Sequence, residues 1–521
     1  MAVWIPGLSQ KCFLVFHIVT LEKRASALAA ERGTVKRRVR ELPEAAGHPA
    51  RLLDAGRFRL CPECAATPVG CPGAIVGIGP AVYRRAGQPV SSCPMQKAYR
   101  ASLLRFADDG TALYESDGLL VTGTDAATGR RVVEAAGSWQ SLAPDHAHLP
   151  VEHLPGRILA PGFVDMHIHY PQTDVIGSPA DGLLPWLENY TFPHELRFAD
   201  PDYAAGVAAF FADELLRNGV TTALTFATSH PQSVDALFAE ARRRGMRLIT
   251  GKVLQDRNSP DGVRDRTEQG LQDTEALIRK WQGVDRLGYA ITPRFAPTST
   301  PAQLRGAGEL AAQYPEVWIQ SHVAENLGEI AWARELFPES RSYLATYDDF
   351  GLMRPRAVYA HCIHFDDDDR ALMRDTGTVA AVSPTSNLFL GSGFFDYAGA
   401  DRVGFRYGLA SDVGGGTSFS PFRTMLAAYY VGREGQTKAG LSLAPGHLWW
   451  QHTAGAAAAL GLAGAVGNLQ PGCEADFIVL DPAATPLLAR KTAQAESLDE
   501  LLFAMIVLGD DRLVERAVIA G

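Results

Sequence analysis

The chain lacks any run of 18 or more apolar residues, which excludes a helical membrane span. It is poor in cysteine. Seven in 521 residues make no disulfide framework, so the expected setting is the reducing cytoplasm. An excess of positive charge is also missing: 49 Lys and Arg stand against 58 Asp and Glu, a net charge of −9, which argues against a nucleic-acid partner. What the chain does have is length, 46% hydrophobic residues and 50 glycines. These suffice for a large core with many turns, organised as two or three domains.

Two compositions meet near Met95. Residues 1–94 hold five of the seven cysteines and carry 13 Lys and Arg against 6 Asp and Glu, whereas the remainder carries 36 against 52. The apolar stretch Cys12 to Thr20 is too short for a signal-peptide core, and its basic flank follows rather than precedes it. Glu22 to Leu42 has the composition of a basic helix. Cys61-Pro62-Glu63-Cys64 with Cys71 and Cys93 has no second CxxC, and its irregular spacing disfavours a zinc ribbon. Residues 1–94 are therefore left as an unassigned N-terminal extension, with a disordered segment or a misplaced start ahead of Met95 as the expectation.

From Tyr99 onward, short alternating runs (Tyr99–Phe106, Ala112–Glu115, Leu119–Thr122) are separated by turn signals such as Asp117-Gly118. Similar runs return at Ala475–Asp481 and Leu513–Ile519. Residues 95–158 and 465–521 are thus expected to build one small β-sandwich domain from both ends. Between them, residues 159–464 repeat strand and helix. The candidate strands are Gly162–His169, Thr221–Thr228, Arg247–Leu254, Leu287–Ala296, Val317–Val323, Ala357–His364, Gly377–Pro384 and Arg406–Asp412. Eight such units predict an α/β fold, a TIM-like (β/α)8 barrel, whose active site lies at the C-terminal ends of its strands.

Those strand ends carry chemistry. Strand one ends in His167 and His169, which share a face because side chains alternate along a strand. Strand five ends in His322 and leads to Glu325, strand six reaches His361, and strand eight ends in Asp412. Histidines with one carboxylate are a zinc-type donor set. His364, three residues beyond His361 on an extended strand, is expected to point away. His194, His230 and His452 read as structural or as residues just outside the ligand set, Cys362 as a core cysteine, and Lys252 as structural. Strand four ends in Thr292-Pro293-Arg294-Phe295 with no lysine to bridge two metals, which predicts a single ion. Arg294 offers a fixed fork of donors to a carbonyl or anion.

The blocks PGFVDMHIHYPQ, LLPWLENYTFPHE, TPRFAPT, QSHVAEN, AHCIHF, SPTSNLFLGSG and ASDVGGGTSFS occur in this order between Pro161 and Ser420. They resemble the amidohydrolase superfamily, and within it the guanine deaminase family. The resemblance spans about Gln96 to Gly521. It implies one zinc per subunit, held by His167, His169, His322 and Asp412, with His361 either a ligand or a partner of the transition state. Gln172, Arg294 and Phe295 are implied as purine contacts, with Trp186 as a wall of the pocket. The implied reaction is zinc-dependent hydrolysis of guanine to xanthine and ammonia, with Glu325 and Asp412 moving protons, in a homodimeric enzyme. A sibling aminohydrolase of the adenosine, S-adenosylhomocysteine or triazine type would share the zinc residues without needing Arg294 and Gln172. The cytidine-deaminase signature is absent, since Leu60 precedes Cys61 and no HxE lies upstream.

Overall fold

The computed structural model describes residues 75–77, 96–434 and 443–521. The cysteine-rich stretch from Cys61, the basic segment 22–42 and Met95 lie outside the described residues. The strands run β1 (Ile75–Gly77), β2 (Lys97–Phe106), β3 (Ala112–Thr124), β4 (Arg131–Ser138) and β5 (Val151–Pro161), followed by β6 (Phe163–His169) and β7 (Val220–Phe226). Then come β8 (Arg247–Gly251), β9 (Val253–Leu254), β10 (Leu287–Pro293), β11 (Trp318–Val323), β12 (Ala357–His361), β13 (Val379–Val382) and β14 (Tyr407–Leu409). β15 (Phe477–Leu480) and β16 (Val514–Val518) complete the set.

The parallel sheet runs β6-β7-β8-β10-β11-β12-β13-β14, with β9 beside β10. Two backbone hydrogen bonds bring its edges together: Asp412 N donates to His167 O at 2.8 Å, and His169 N donates to Val413 O at 2.9 Å. Asp165 adds a side-chain tie, its Oδ1 accepting from Ser411 N at 3.1 Å. The expected (β/α)8 barrel is therefore present. All seven residues of β6 are buried, as a parallel strand covered on both faces requires. Helices fill the crossovers. That at Pro201–Arg217 starts on an Asp200 cap with proline in its first turn, and that at Pro231–Arg244 stops at Gly245 with φ +70°. Among the described residues, no helix is long and apolar enough to cross a membrane.

The lower barrel is plugged. Val164, Met166, Leu224, Ile249, Trp318 and Val358 pack on Ala456, Ala457 and Leu460 from the segment after the last barrel strand. The upper, C-terminal end is left for chemistry. The flanking strands form a second sheet, ordered β1-β16-β15-β5-β2-β3-β4. It folds back on itself where Gly472 N donates to Val133 O and Val133 N to Cys473 O, enclosing Tyr99, Leu103, Val133, Leu159, Phe477 and Val479. An ion cluster ties this sheet to the barrel floor: Arg247 and Arg286 both pair with Glu474, and Arg286 also pairs with Asp476.

Four local readings change. Asp117-Gly118 is no turn, because β3 runs through it. Gly118 faces Leu103 across a register shift so closely that an added Cβ would lie 2.7 Å from Leu103 Cβ. Strand three breaks at Lys252, whose N–H donates to Tyr289 Oη at 3.0 Å instead of to a neighbouring strand. Strand six stops at His361, because His361 and Cys362 turn left-handed with φ +73° and +53°. Strand eight stops at Leu409, and Asp412 sits beyond it at φ +51°. Such conformations are costly for residues other than glycine and cluster at functional sites.

Candidate active site

The upper barrel brings the predicted ligands together. His169 Nε2 lies 3.1 Å from His167 Nε2 and 3.1 Å from His322 Nε2. Asp412 Oδ1 lies 3.1 Å from His167 Nε2 and 3.3 Å from His169 Nε2. His361 approaches from the other side, its Nε2 3.8 Å from Asp412 Oδ2 and 3.4 Å from Glu325 Oε2. Donor atoms of His167, His322, His361 and Asp412 all fall within 4.8 Å of one another.

Hydrogen bonds orient these rings. His322 Nδ1 donates to the Arg294 carbonyl at 2.6 Å, so its Nε2 faces the cluster as a bare lone pair. His361 Nδ1 donates to Asn387 Oδ1 at 2.8 Å, which fixes the orientation of its ring. His169 Nδ1 is buried with no partner among the described residues. Burial is the largest influence on the charges. It pushes His169 down to about 3, against its hydrogen bond to Asp412, and it holds His322 well below the usual imidazole range. Burial opposes ionisation of Asp412 as well, but His167, His169 and His361 together outweigh it and keep the carboxyl well below its usual value. Neutral imidazole nitrogens crowded around one carboxylate cannot be satisfied by a single proton. A shared divalent cation satisfies them all, because nitrogens bound at about 2.0–2.1 Å sit about 3 to 3.4 Å from one another. The donor set fits zinc.

Beside the cluster lies a cavity. Its polar wall is Gln172, Arg294, Glu325 and Glu329; its apolar wall includes Leu183, Trp186, Leu187, Phe295 and Leu390. Gln172 Oε1 accepts from Gly414 N at 3.1 Å, which fixes the amide against the loop after strand eight. Glu325 is buried, and its Oε1 accepts from Ser392 Oγ at 2.9 Å. Burial and then the nearby Asp412 charge raise Glu325 to about 8, so its acid form prevails at pH 7.

The amidohydrolase family model matches residues 158–521. The chain belongs to the amidohydrolase family. It is 42% identical to the guanine deaminase of Escherichia coli (strain K12) over 424 residues, covering 81% of this chain and 92% of that one. A crystal structure of guanine deaminase from C. acetobutylicum with guanine bound in its active site is 29% identical, with a TM-score of 0.75 over 82% of this chain and 99% of that chain. An adenosine deaminase from Xanthomonas campestris with bound zinc shares the fold at 20% identity and TM-score 0.70, over 81% and 91% of the two chains.

Every residue expected to hold metal or line the pocket of this amidohydrolase borders the one site. The set-aside residues lie elsewhere. His364 Nε2 bonds the Ser392 carbonyl at 3.0 Å. The turn after His361 excludes it from the cluster, not the alternation of an extended strand. His194 meets Tyr203, His230 meets the Gly262 carbonyl, His452 meets the Val164 carbonyl, and Cys362 is buried. Lys252 is paired with Asp265 at 2.6 Å.

Three carboxylate contacts escaped the sequence reading. Glu195 is fully buried, and its oxygens accept from Arg294 Nη1 at 3.0 and 2.8 Å. Glu329 caps the helix Leu327–Leu336, accepting from the backbone of Glu325 and Asn326 at 3.1 Å each, and so fixes the turn that aims Glu325. Ser392 holds Glu325 itself. A signal for Glu329 was present, since Asn326 followed three residues later by glutamate is a capping pattern. None marked Glu195, because its partner is 99 positions away.

Proposed function

We propose that this amidohydrolase hydrolyses guanine to xanthine and ammonia, using one zinc ion per chain. The observation that carries the reading is a single cavity in which Arg294 and Gln172 face the same space as Glu325 and the His/Asp cluster. His167, His169, His322 and Asp412 would hold the zinc, with His361 beside it. When bound, the ion is a Lewis acid that makes water acidic enough to supply a nucleophile near pH 7.

The chain's own groups do the rest. Asp412, ionised and turned toward the cluster, takes the proton from the attacking water. Glu325, protonated at neutral pH, gives its proton to ring N3 and then helps the C2 amino group leave as ammonia. His361 Nε2 lies between these two carboxylates and stabilises charge developing on the incoming oxygen. Arg294 donates to the O6 acceptor of guanine, where adenine presents an amino donor that would face the guanidinium unpaired. Gln172 pairs with a second part of the purine edge, while Phe295 and Trp186 wall the ring. The division into a catalytic barrel at residues 159–464 and a flanking sheet domain belongs to this reading, as do a homodimer and a cytoplasmic setting.

Ultraviolet spectra of the purified protein should show guanine converted to xanthine. A chelator should abolish the conversion and added zinc should restore it. No turnover by the zinc-loaded chain, or faster turnover of adenosine or a triazine across a substrate panel, would overturn the proposal. Arg294→Ala should lower kcat/KM for guanine by at least about 100-fold while zinc content stays at the wild-type level. Because that change leaves Glu195 buried and unpaired, Arg294→Met combined with Glu195→Gln serves as the control for folding.

A further inference from the structure

Arg294 does not face the cavity as an isolated cation. Both Glu195 oxygens sit within 3.0 Å of its Nη1, and the two side chains are 3% and 1% exposed. The Phe192 ring lies 5.0 Å from the guanidinium, and Gln172 lines the same cavity as Arg294. Glu195 is placed by a short turn of helix, Phe192–Glu195, in the segment that also carries Trp186. The carboxylate is thus held by Arg294, one of the purine-binding donors.

This arrangement has a consequence for charge. Guanine is neutral near pH 7. Xanthine, its hydrolysis product, is the stronger acid, and its ring N–H ionises close to neutrality. A buried, uncompensated cation in a poorly solvated pocket would bind the xanthine anion better than the neutral substrate. Such a site would retain its product. We propose that Glu195 is a charge-compensating and positioning residue that makes the cavity favour the neutral purine and release the anionic product. The inference rests on the reading of the site as one for guanine.

The test compares zinc-loaded wild-type protein with Glu195→Gln, which keeps the shape and removes the charge. Xanthine inhibition of guanine turnover is measured on the acidic and alkaline sides of xanthine's ionisation. The other ionisable groups lining the cavity (His169, His322, His361, Glu325, Glu329 and Asp412) are unchanged, so the comparison isolates Glu195. On the alkaline side the variant's Ki for xanthine should fall about tenfold, since an unpaired cation strengthens its bond to an anion. On the acidic side it should change far less. An unchanged or higher Ki on the alkaline side overturns the proposal, as does an equal fall at both. A loosened pocket weakens binding of everything, so a gain in anion affinity separates the charge role from a merely structural one. Should the variant fail to fold, the wild type alone decides: its Ki should hold or rise as xanthine ionises, and a fall overturns the proposal. Absence of guanine turnover by the wild type sinks the substrate reading instead, and turnover with an unaltered variant Ki sinks only the role of Glu195.

Discussion

Glu325→Gln is expected to lower kcat for guanine by about 100- to 10,000-fold, the range of a lost general acid–base group, with zinc content unchanged. Glutamine preserves the volume and can still accept from Ser392 Oγ, which lies 2.9 Å from Glu325 Oε1. It has no proton to give to the ring and none to pass to the departing amine. The backbone turn stays in place, because Glu329 holds the Glu325 N–H through its own side chain. Loss of rate with full metal loading therefore isolates proton transfer. Burial raises Glu325 to about 8, so the acid form is lost as pH rises through that value, and the wild-type rate should decline there. A variant that keeps more than a tenth of the wild-type kcat would remove Glu325 from the mechanism.

His322→Ala is expected to abolish stoichiometric zinc and, with it, guanine turnover down to that of the chelated protein. Three features put this ring at the centre of the His/Asp cluster. Its Nε2 lies 3.1 Å from that of His169, its Nδ1 is locked on the Arg294 carbonyl at 2.6 Å, and burial keeps it neutral. Loss of an outer-shell partner alone costs about 10- to 100-fold in metal affinity, and loss of a ligand costs more. The change also removes the shortest hydrogen bond to the Arg294 carbonyl, which keeps Ser321 Oγ and the backbone N–H of residue 322 at 3.3 Å each, so thermal stability should fall only slightly. Elemental analysis after gel filtration measures the metal. One zinc per chain retained by the variant would place the ion elsewhere.

The clustering of these residues was legible because a parallel barrel converts sequence position into spatial position. Each strand's last residues reach the same rim, so His167, His169, His322, His361 and Asp412 could be gathered by finding where apolar runs end. The ends themselves were misjudged where the chain stops being extended. His361 and Asp412 take positive φ, and no local pattern announces a left-handed turn in residues that are not glycine. His364 lies away from the cluster because the chain turns at His361 and Cys362, not because an extended strand points it aside.

The opposite limit shows at Glu195. It lies in the same stretch as Trp186, yet nothing nearby marks it as different from a surface glutamate closing a short helix. Only the barrel brings it against Arg294, and only that contact reveals what charge the pocket presents. By itself, the sequence determined the eight-strand order, the ligand types and their shared rim, because strand periodicity and parallel connection are local rules repeated eight times. The tertiary structure alone decided which nitrogen of each ring faces the cluster, which carboxylate is protonated and which cation is neutralised. Those properties depend on burial and on partners 26 to 99 residues away. Hydrogen bonds and desolvation act through space, and spacing along the chain does not encode them.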